Sequence, residues 1–361
     1  VLDAMMPYLT EEYGNPSSLY RFANRAKRAL EQARAEVAQV LGADPFEILF
    51  TPGGSEADNW VKEVMRTQKA KGKNHFITTA VEHHAMLHSA QRLQKEGYEV
   101  TFIPVDREGQ IDPEDIRRAI RPETGLVSIM FANNEIGTVE PIEEIGQIVK
   151  QFNPEIVYHV DAIQAYGKFK IVPKKLNIDL LSVSGHKIHG PKGTGFLYVK
   201  EKTKIKPIIL GGGQQKAMRS GTENVPGIAG LGVAAGLIYN SAFDEKIQKM
   251  YDLRSYFIEE LQKLPDVTIN GCMGRESAPH IVSASFAGVR SEVLLHALED
   301  KGIYVSAGSA CASNKHTVSA TLKAMGISQN LLDSTIRFSF SVFTTAEELD
   351  YTLQCLYDIL P

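Results

Sequence analysis

Residues 126–160, LVSIMFANNEIGTVEPIEEIGQIVKQFNPEIVYHV, decide the fold. Two apolar runs, 126–131 and 156–160, are too short for helices and flank a stretch, 141–152, that reads as helical. Strand, helix, strand in that order is a crossover unit, and crossover units build parallel sheets with helices on their faces. Further short apolar runs lie outward of it at 47–50, 75–79, 100–104, 180–183 and 196–199, with another helical stretch at 113–120. Near the start, Ser17 and Ser18 are placed to cap a helix with apolar positions Phe22, Ala26, Ala29, Ala33 and Val37, ending near Gly42. After Gly236 the texture changes. A long amphipathic stretch, 243–264, leads into strand candidates at 267–269, 281–286 and 303–306 and helices at 292–300 and 346–360. The expectation is an α/β protein: a large domain, 1–240, with a mostly parallel central sheet, and a smaller α+β domain, 241–361.

The 361 residues are 43% hydrophobic and 23% charged, ordinary proportions for a globular protein, and the length allows two or three domains. Acidic residues outnumber basic ones by 43 to 39, so no electrostatic footprint for unselective nucleic-acid binding exists. The longest nearly apolar run, 228–239, is too short to cross a bilayer, and no signal peptide opens the chain. Neither a nucleic-acid nor a membrane partner is expected. Three cysteines, Cys272, Cys311 and Cys355, cannot make a disulfide framework, and the odd count points to a reducing, cytoplasmic location. The chain starts at Val1 rather than Met and enters a helical pattern at once. A preceding segment is therefore expected to have been processed or cut away.

The loops after the strands hold the residues that could carry chemistry, as open α/β sheets lead one to expect. Thr51-Pro52-Gly53-Gly54-Ser55-Glu56 follows a strand and opens a helix. It reads either as a phosphate cradle with Ser55 as hydroxyl donor or as a tight turn with Ser55 as N-cap. Asp161 ends an apolar strand, where a partly desolvated carboxylate needs a partner, either a pyridinium nitrogen or a helix terminus. Ser184-Gly185-His186-Lys187 also follows a strand; its lysine is either a desolvated nucleophile or part of an exposed cationic loop. His83 follows a strand and can stack on a ring or move protons. His84 and His88 lack a third ligand and read as solvated helix residues, so no metal site is expected. Cys311 lies in a small, polar, glycine-preceded segment suited to an exposed thiol, whereas Cys355 reads as buried and inert. Gly230-x-Gly232-x-x-Ala235 matches a dinucleotide fingerprint but has no strand before it, and reads as helix packing. A phosphate turn, a strand-end aspartate, a strand-end lysine and a stackable histidine are together the parts of a pyridoxal phosphate (PLP) site.

With these residues in place the chain resembles the NifS/IscS-type cysteine desulfurases of the class V aminotransferase family, over essentially its whole length. The stretches that carry the likeness are Tyr13-Gly14-Asn15-Pro16-Ser17-Ser18, Gly54-Ser55-Glu56, Glu82-His83, Asn133-Asn134-Glu135-Ile136-Gly137, Val160-Asp161-Ala162-x-Gln164 and Ser184-Gly185-His186-Lys187. Further on come Arg219-Ser220-Gly221-Thr222, Gly308-Ser309-Ala310-Cys311 and Ile336-Arg337-Phe338-Ser339. The resemblance implies a PLP-dependent transferase fold of the aspartate aminotransferase type. It implies that Lys187 holds PLP covalently, that Asp161 pairs with the ring nitrogen, that Gln164 bonds the ring hydroxyl and that His83 stacks on the ring and serves catalysis. Gly54, Ser55, Ser184 and His186 would bind the phosphate, with Thr222 reaching in from the second subunit of a homodimer. Asn134 would touch both cofactor and substrate, and Arg337 would fork onto the substrate carboxylate. L-cysteine would become L-alanine while its sulfur passes to Cys311 as a persulfide and then to an acceptor in iron–sulfur cluster assembly, tRNA thiolation or a thiamine pathway.

Three departures from the family pattern stand out. An N-terminal strand and threonine turn are absent, Gly54-Ser55 stands where Ala-Thr is usual, and Ser341-Val342 follows Phe340 where Gly-Arg is common. The competing readings are a selenocysteine lyase, aminotransferase or epimerase on the same scaffold, and a non-catalytic sulfur-trafficking protein. Cys311 discriminates the first group, because transamination needs no such thiol. A visible cofactor absorbance dependent on Lys187 discriminates the second.

Overall fold

The computed structural model describes residues 1–307 and 319–360, which fall into two compact units. Unit 1 comprises Val1–Ile103, Pro113–Phe131 and Pro141–Ser241. Unit 2 comprises Pro104–Asp112, Ala132–Glu140 and the described residues from Ala242 onward. A single break at residue 240 therefore leaves out two short earlier segments that pack with the C-terminal part.

In unit 1, helices α1 (Leu2–Thr10) and α2 (Ala23–Leu41) precede strand β1 (Ile48–Thr51), α3 (Gly54–Val61), α4 (Glu63–Lys69), β2 (His75–Thr79), α5 (His84–Lys95) and β3 (Glu99–Ile103). Then come α6 (Pro113–Ala119), β4 (Thr124–Met130), α7 (Ile142–Phe152), β5 (Val157–Asp161), β6 (Leu180–Ser184), β7 (Gly195–Val199) and α8 (Val225–Ile238). The seven strands form one sheet in the order β1-β7-β6-β5-β4-β2-β3. Every neighbouring pair is parallel except the two made by β7. Strands β4, β5 and β6 are buried along their whole length, which is why they read as continuous apolar runs and not as alternating ones. All three end near the same edge of the sheet, where Asp161 is the last residue of β5 and Lys187 lies in the turn just beyond β6.

Helix α8 is apolar nearly all round and mostly buried. A Cβ on Gly232 would stand 2.8 Å from the Cα of Ala33, so the glycine lets α8 lie directly against α2. The dinucleotide-like spacing is thus a helix contact. Gly42 terminates α2 in the left-handed conformation that glycine adopts without a Cβ penalty. The other end differs from the expectation: α2 starts at Ala23 with Phe22 as N-cap, not at Ser17 or Ser18. Those serines belong to a turn in which the Ser17 amide donates to the Asn15 side chain and the Ser18 amide to the Asn15 carbonyl.

In unit 2, α9 (Phe243–Leu261) leads to β8 (Val267–Asn270), β9 (Ile281–Phe286) and α10 (Ser291–Glu299). They are followed by α11 (Ala320–Ala324), α12 (Gln329–Leu332), β10 (Thr335–Ser339) and α13 (Ala346–Ile359). The strands make an antiparallel sheet, β10-β9-β8, over a core that includes Phe257, Phe286, Phe338, Leu298 and Leu356. Residues 303–306 form no strand; only Ser306 bridges, to Arg337. The fully buried Arg254 guanidinium donates to the carbonyls of Ile281, Met273 and Cys272, fixing the loop after β8. The two early segments are tied to each other in the same unit. The Ile111 amide donates to the Glu140 carboxylate at 3.0 Å, and the Thr138 hydroxyl to the Glu108 carbonyl at 2.6 Å. Among the described residues no single helix is long and apolar enough to cross a membrane.

Candidate active site

Strand β1 ends at Thr51, and α3 begins at Gly54 with Gly53 as its N-cap. Ser55 therefore sits in the first helical turn with an exposed side chain and is not the cap. No side chain caps α3, so its leading N–H groups face outward as anion donors. Ser184, the last residue of β6, lies beside this turn: a Cβ on Gly53 would come within 3.5 Å of its hydroxyl. The Ser184 hydroxyl bonds His186 Nδ1 at 2.8 Å. Burial, then the charges of Lys187 and Lys192, lower the basicity of His186. An uncapped helix start, a hydroxyl and an imidazole thus meet, and this donor set fits a phosphate ester. Gly54 has its own reason to lack a side chain, because the Ile163 side chain already fills the place its Cβ would take.

Asp161, the last residue of β5, is buried. Its Oδ1 accepts the Ile163 amide at 2.9 Å, so the carboxylate closes its own turn and still offers a second oxygen. Burial pushes its carboxyl up to about 6, against the Ile163 amide and the Lys187 charge, which pull the other way. Gln164 is buried three residues on. Lys187 sits in the short helical turn after β6 and is half-buried, between the exposed His186 and Lys192. Its charge is felt by Asp161, by His83, by His186 and by Lys168, so these side chains share one electrostatic neighbourhood. His83 caps α5, its Nδ1 accepting the Ala85 amide at 3.1 Å. Burial, followed by His84, Lys187 and His88, pushes the His83 imidazole down to about 4, and the ring is neutral at physiological pH.

In unit 2, Arg337 Nη1 donates to the Asn134 carbonyl at 2.6 Å. The two expected substrate contacts are therefore adjacent, although 203 residues separate them in sequence. Thr222 is exposed in unit 1 and lines a cavity with Thr51, Pro52, Thr194, Arg219 and Asn224. Arg219 is held by a bidentate pair with Glu56 of α3. Cys311 lies outside the described residues. Cys355 is buried, and Cys272 is buried beside Glu108, where desolvation pushes its thiol up to about 11. His84 and His88 stack on each other, ring centroids 5.4 Å apart, and no group of metal-ligating residues occurs among the described residues.

Sequence reasoning missed two features. Lys168 donates to the Lys187 carbonyl at 2.6 Å and holds the turn that presents the lysine. Burial and the Lys187 charge push its own ammonium down to about 8. A polar layer of Asp58, Ser128, His159 and Ser182 also lies buried beneath Asp161. Its signal was available: Asp58 is a charged residue on the stripe of α3 that otherwise buries Ala57, Trp60 and Val61.

Residues 1–352 match the family model described as Aminotransferase class-V. A cysteine desulfurase IscS from Clostridium botulinum is 48% identical over the whole chain and 90% of that relative; one from Methanosarcina thermophila is 45% identical over the whole chain and 88% of that relative. Among solved structures, a NifS-like protein superposes with a TM-score of 0.93 at 38% identity, covering 99% of this chain and 94% of its own. A structure described as SspA in complex with cysteine gives 0.83 at 33% identity, covering 95% of each chain.

Proposed function

The chain belongs to the class-V aminotransferase family, and from that premise we propose that it is a PLP-dependent cysteine desulfurase. The observation that carries the reading is the grouping of Lys187, Asp161 and His83 in one electrostatic neighbourhood, with Ser184 and His186 set beside an uncapped helix start. Bound PLP supplies a reactive carbonyl carbon and a ring that accepts electrons. The α3 amides, Ser55, Ser184 and His186 bind its phosphate. Asp161, ionised above about pH 6, holds a proton on the ring nitrogen, and neutral His83 offers a flat face to the ring. Gln164 orients the ring hydroxyl, and Lys187 supplies the amine that retains the cofactor and shuttles protons. Asn134 and Arg337 take the substrate carboxylate. The Cys311 thiol receives the sulfur: the carbon–sulfur bond of L-cysteine breaks, a sulfur–sulfur bond forms on Cys311, and L-alanine leaves.

Two copies make the working enzyme in this proposal, with Thr222 serving the partner's cofactor. The exposed apolar side chains of unit 1, Leu2, Leu9, Tyr13, Leu19 and Leu210 among them, suit such an interface. The persulfide is then handed to an acceptor protein of a thiolation or cluster-assembly route in the cytoplasm. Loading with PLP tests the site. The wild-type chain should gain visible absorbance that survives gel filtration, and Lys187→Ala should lose it. A wild-type chain that stays colourless would contradict the reading.

A further inference from the structure

Behind Asp161 the sheet buries a polar layer that the proposed chemistry does not use. Ser128 on β4 pairs in register with His159 on β5, and Asp161 on β5 pairs with Ser182 on β6. Alternation along the strands puts all four on one face. His159 is fully buried and bonded at both nitrogens, Nδ1 to the Ser128 hydroxyl at 2.7 Å and Nε2 to that of Ser182 at 2.9 Å. Helix α3 covers this face and presents Asp58, one turn beyond the phosphate end at Gly54. Asp58 is 0% exposed, and neither of its oxygens meets a hydrogen-bond donor in good geometry. The Nε2 of His159 lies 3.9 Å from its Oδ1, too far for a hydrogen bond.

A buried carboxylate with no cation beside it and no well-formed hydrogen bond is among the costliest groups a protein can hold, and a proton on it removes the charge that makes it so. The groups facing it are Asp161 and His159 from β5, Ser182 from β6 and Glu82 from the loop before α5. Two of these are acids. The imidazole is no counter-ion, because burial pushes it down to about 3. Burial first, and then the charge of Asp161, hold the Asp58 carboxyl well above its usual range, with the Ser182 hydroxyl opposing and Glu82 adding to the rise.

We propose that Asp58 carries a proton at neutral pH and is a positioning residue for Asp161. Its O–H, unlike a carboxylate, can donate into the layer it shares with Ser182 and Asp161, and Asp58 then adds no negative charge to those of its acidic neighbours. The inference rests on the reading that Asp161 serves that ring.

Infrared spectroscopy of the full chain, isotopically labelled at aspartate and held at pH 8, tests it with and without PLP. Asp161 is ionised there, and the label separates Asp58 from buried Glu140, whose carboxyl burial raises to about 8. The expected result is a neutral-acid C=O band in the wild type that Asp58→Asn removes. In the ligand-free chain the separate Asp161 band should titrate near pH 6, moved by less than about 0.3 unit in Asp58→Asn, which keeps a donor. Asp58→Leu, of the same branching but without a donor, should raise that midpoint by about one unit. Absence of the neutral-acid band, or its persistence in Asp58→Asn, would overturn the proposal, as would an Asp58→Asn midpoint displaced by about a unit. If neither variant folds, the wild-type band at pH 8 still decides. A chain that shows the band but gains no visible absorbance with PLP would refute the cofactor reading and leave the Asp58 proton standing.

Discussion

Asp161 has two oxygens with two tasks: one closes the turn to Ile163, and the other is available to a ligand. The first task is a turn closure, not the helix cap that the sequence allowed, and it leaves the proposed partnership with a cofactor open to the second oxygen. Because burial raises this carboxyl from 3.8 to about 6, the folded chain holds the proton more tightly than the unfolded chain does. Ionising Asp161 thus costs the ligand-free fold stability as the pH rises across that interval. PLP binding should run the opposite way, weakening as the pH falls through about 6 and Asp161 loses its charge. Asp161→Asn should bind more weakly at pH 8 and lose that dependence, as equilibrium titrations at several pH values would show. Gly54 supports a second prediction. Ile163 fills the space that a methyl group at position 54 would take, which accounts for a glycine where the family pattern has alanine. Gly54→Ala should cost about 1–3 kcal/mol by overpacking, and the cost should shrink when Ile163→Ala accompanies it, as a double-mutant cycle in urea would measure.

Elements were legible where burial is two-sided. Strands β4, β5 and β6 announce themselves as apolar runs because helices cover both faces, and the site residues follow from where those runs stop. Residues 303–306 show the limit: an apolar stretch reads as a strand, yet here it makes one bridge, Ser306 to Arg337. The start of α2 was illegible for a different reason, since Asn15 captures the serine amides that a helix cap would have organised. Helix α8 offers a controlled test of why its glycines are there. Gly232→Ala would press a methyl against the Ala33 backbone and should destabilise by about 1–3 kcal/mol. Gly236 in the same helix meets nothing within 4 Å, so Gly236→Ala should stabilise by about 0.5–1 kcal/mol through helix propensity alone. Urea unfolding of the two variants would show opposite signs.

At the scale of the whole molecule, the two early segments of unit 2 are what sequence could not show. The segments 104–112 and 132–140 leave the large unit and join the C-terminal one, so Asn134 is brought to Arg337. Both segments read as ordinary connections after strands of the large domain, and only three-dimensional packing reveals where they belong. The polar layer under Asp161 was hidden likewise, because Ser128, His159 and Ser182 come from three strands and only register aligns them. The proposed dimer should sediment at twice the 39.8 kDa of the chain, and polar substitution of Leu19 and Leu210 should shift it toward monomer. The central claim is sulfur transfer from L-cysteine to Cys311. It is tested most directly by incubating the PLP-loaded chain with L-cysteine, then measuring alanine and the mass of the peptide that contains Cys311. The account predicts one added sulfur atom on that peptide, alanine in matching amount, and loss of both in Cys311→Ala with the cofactor still bound. Alanine without added sulfur on Cys311, or undiminished sulfur release by Cys311→Ala, would contradict it.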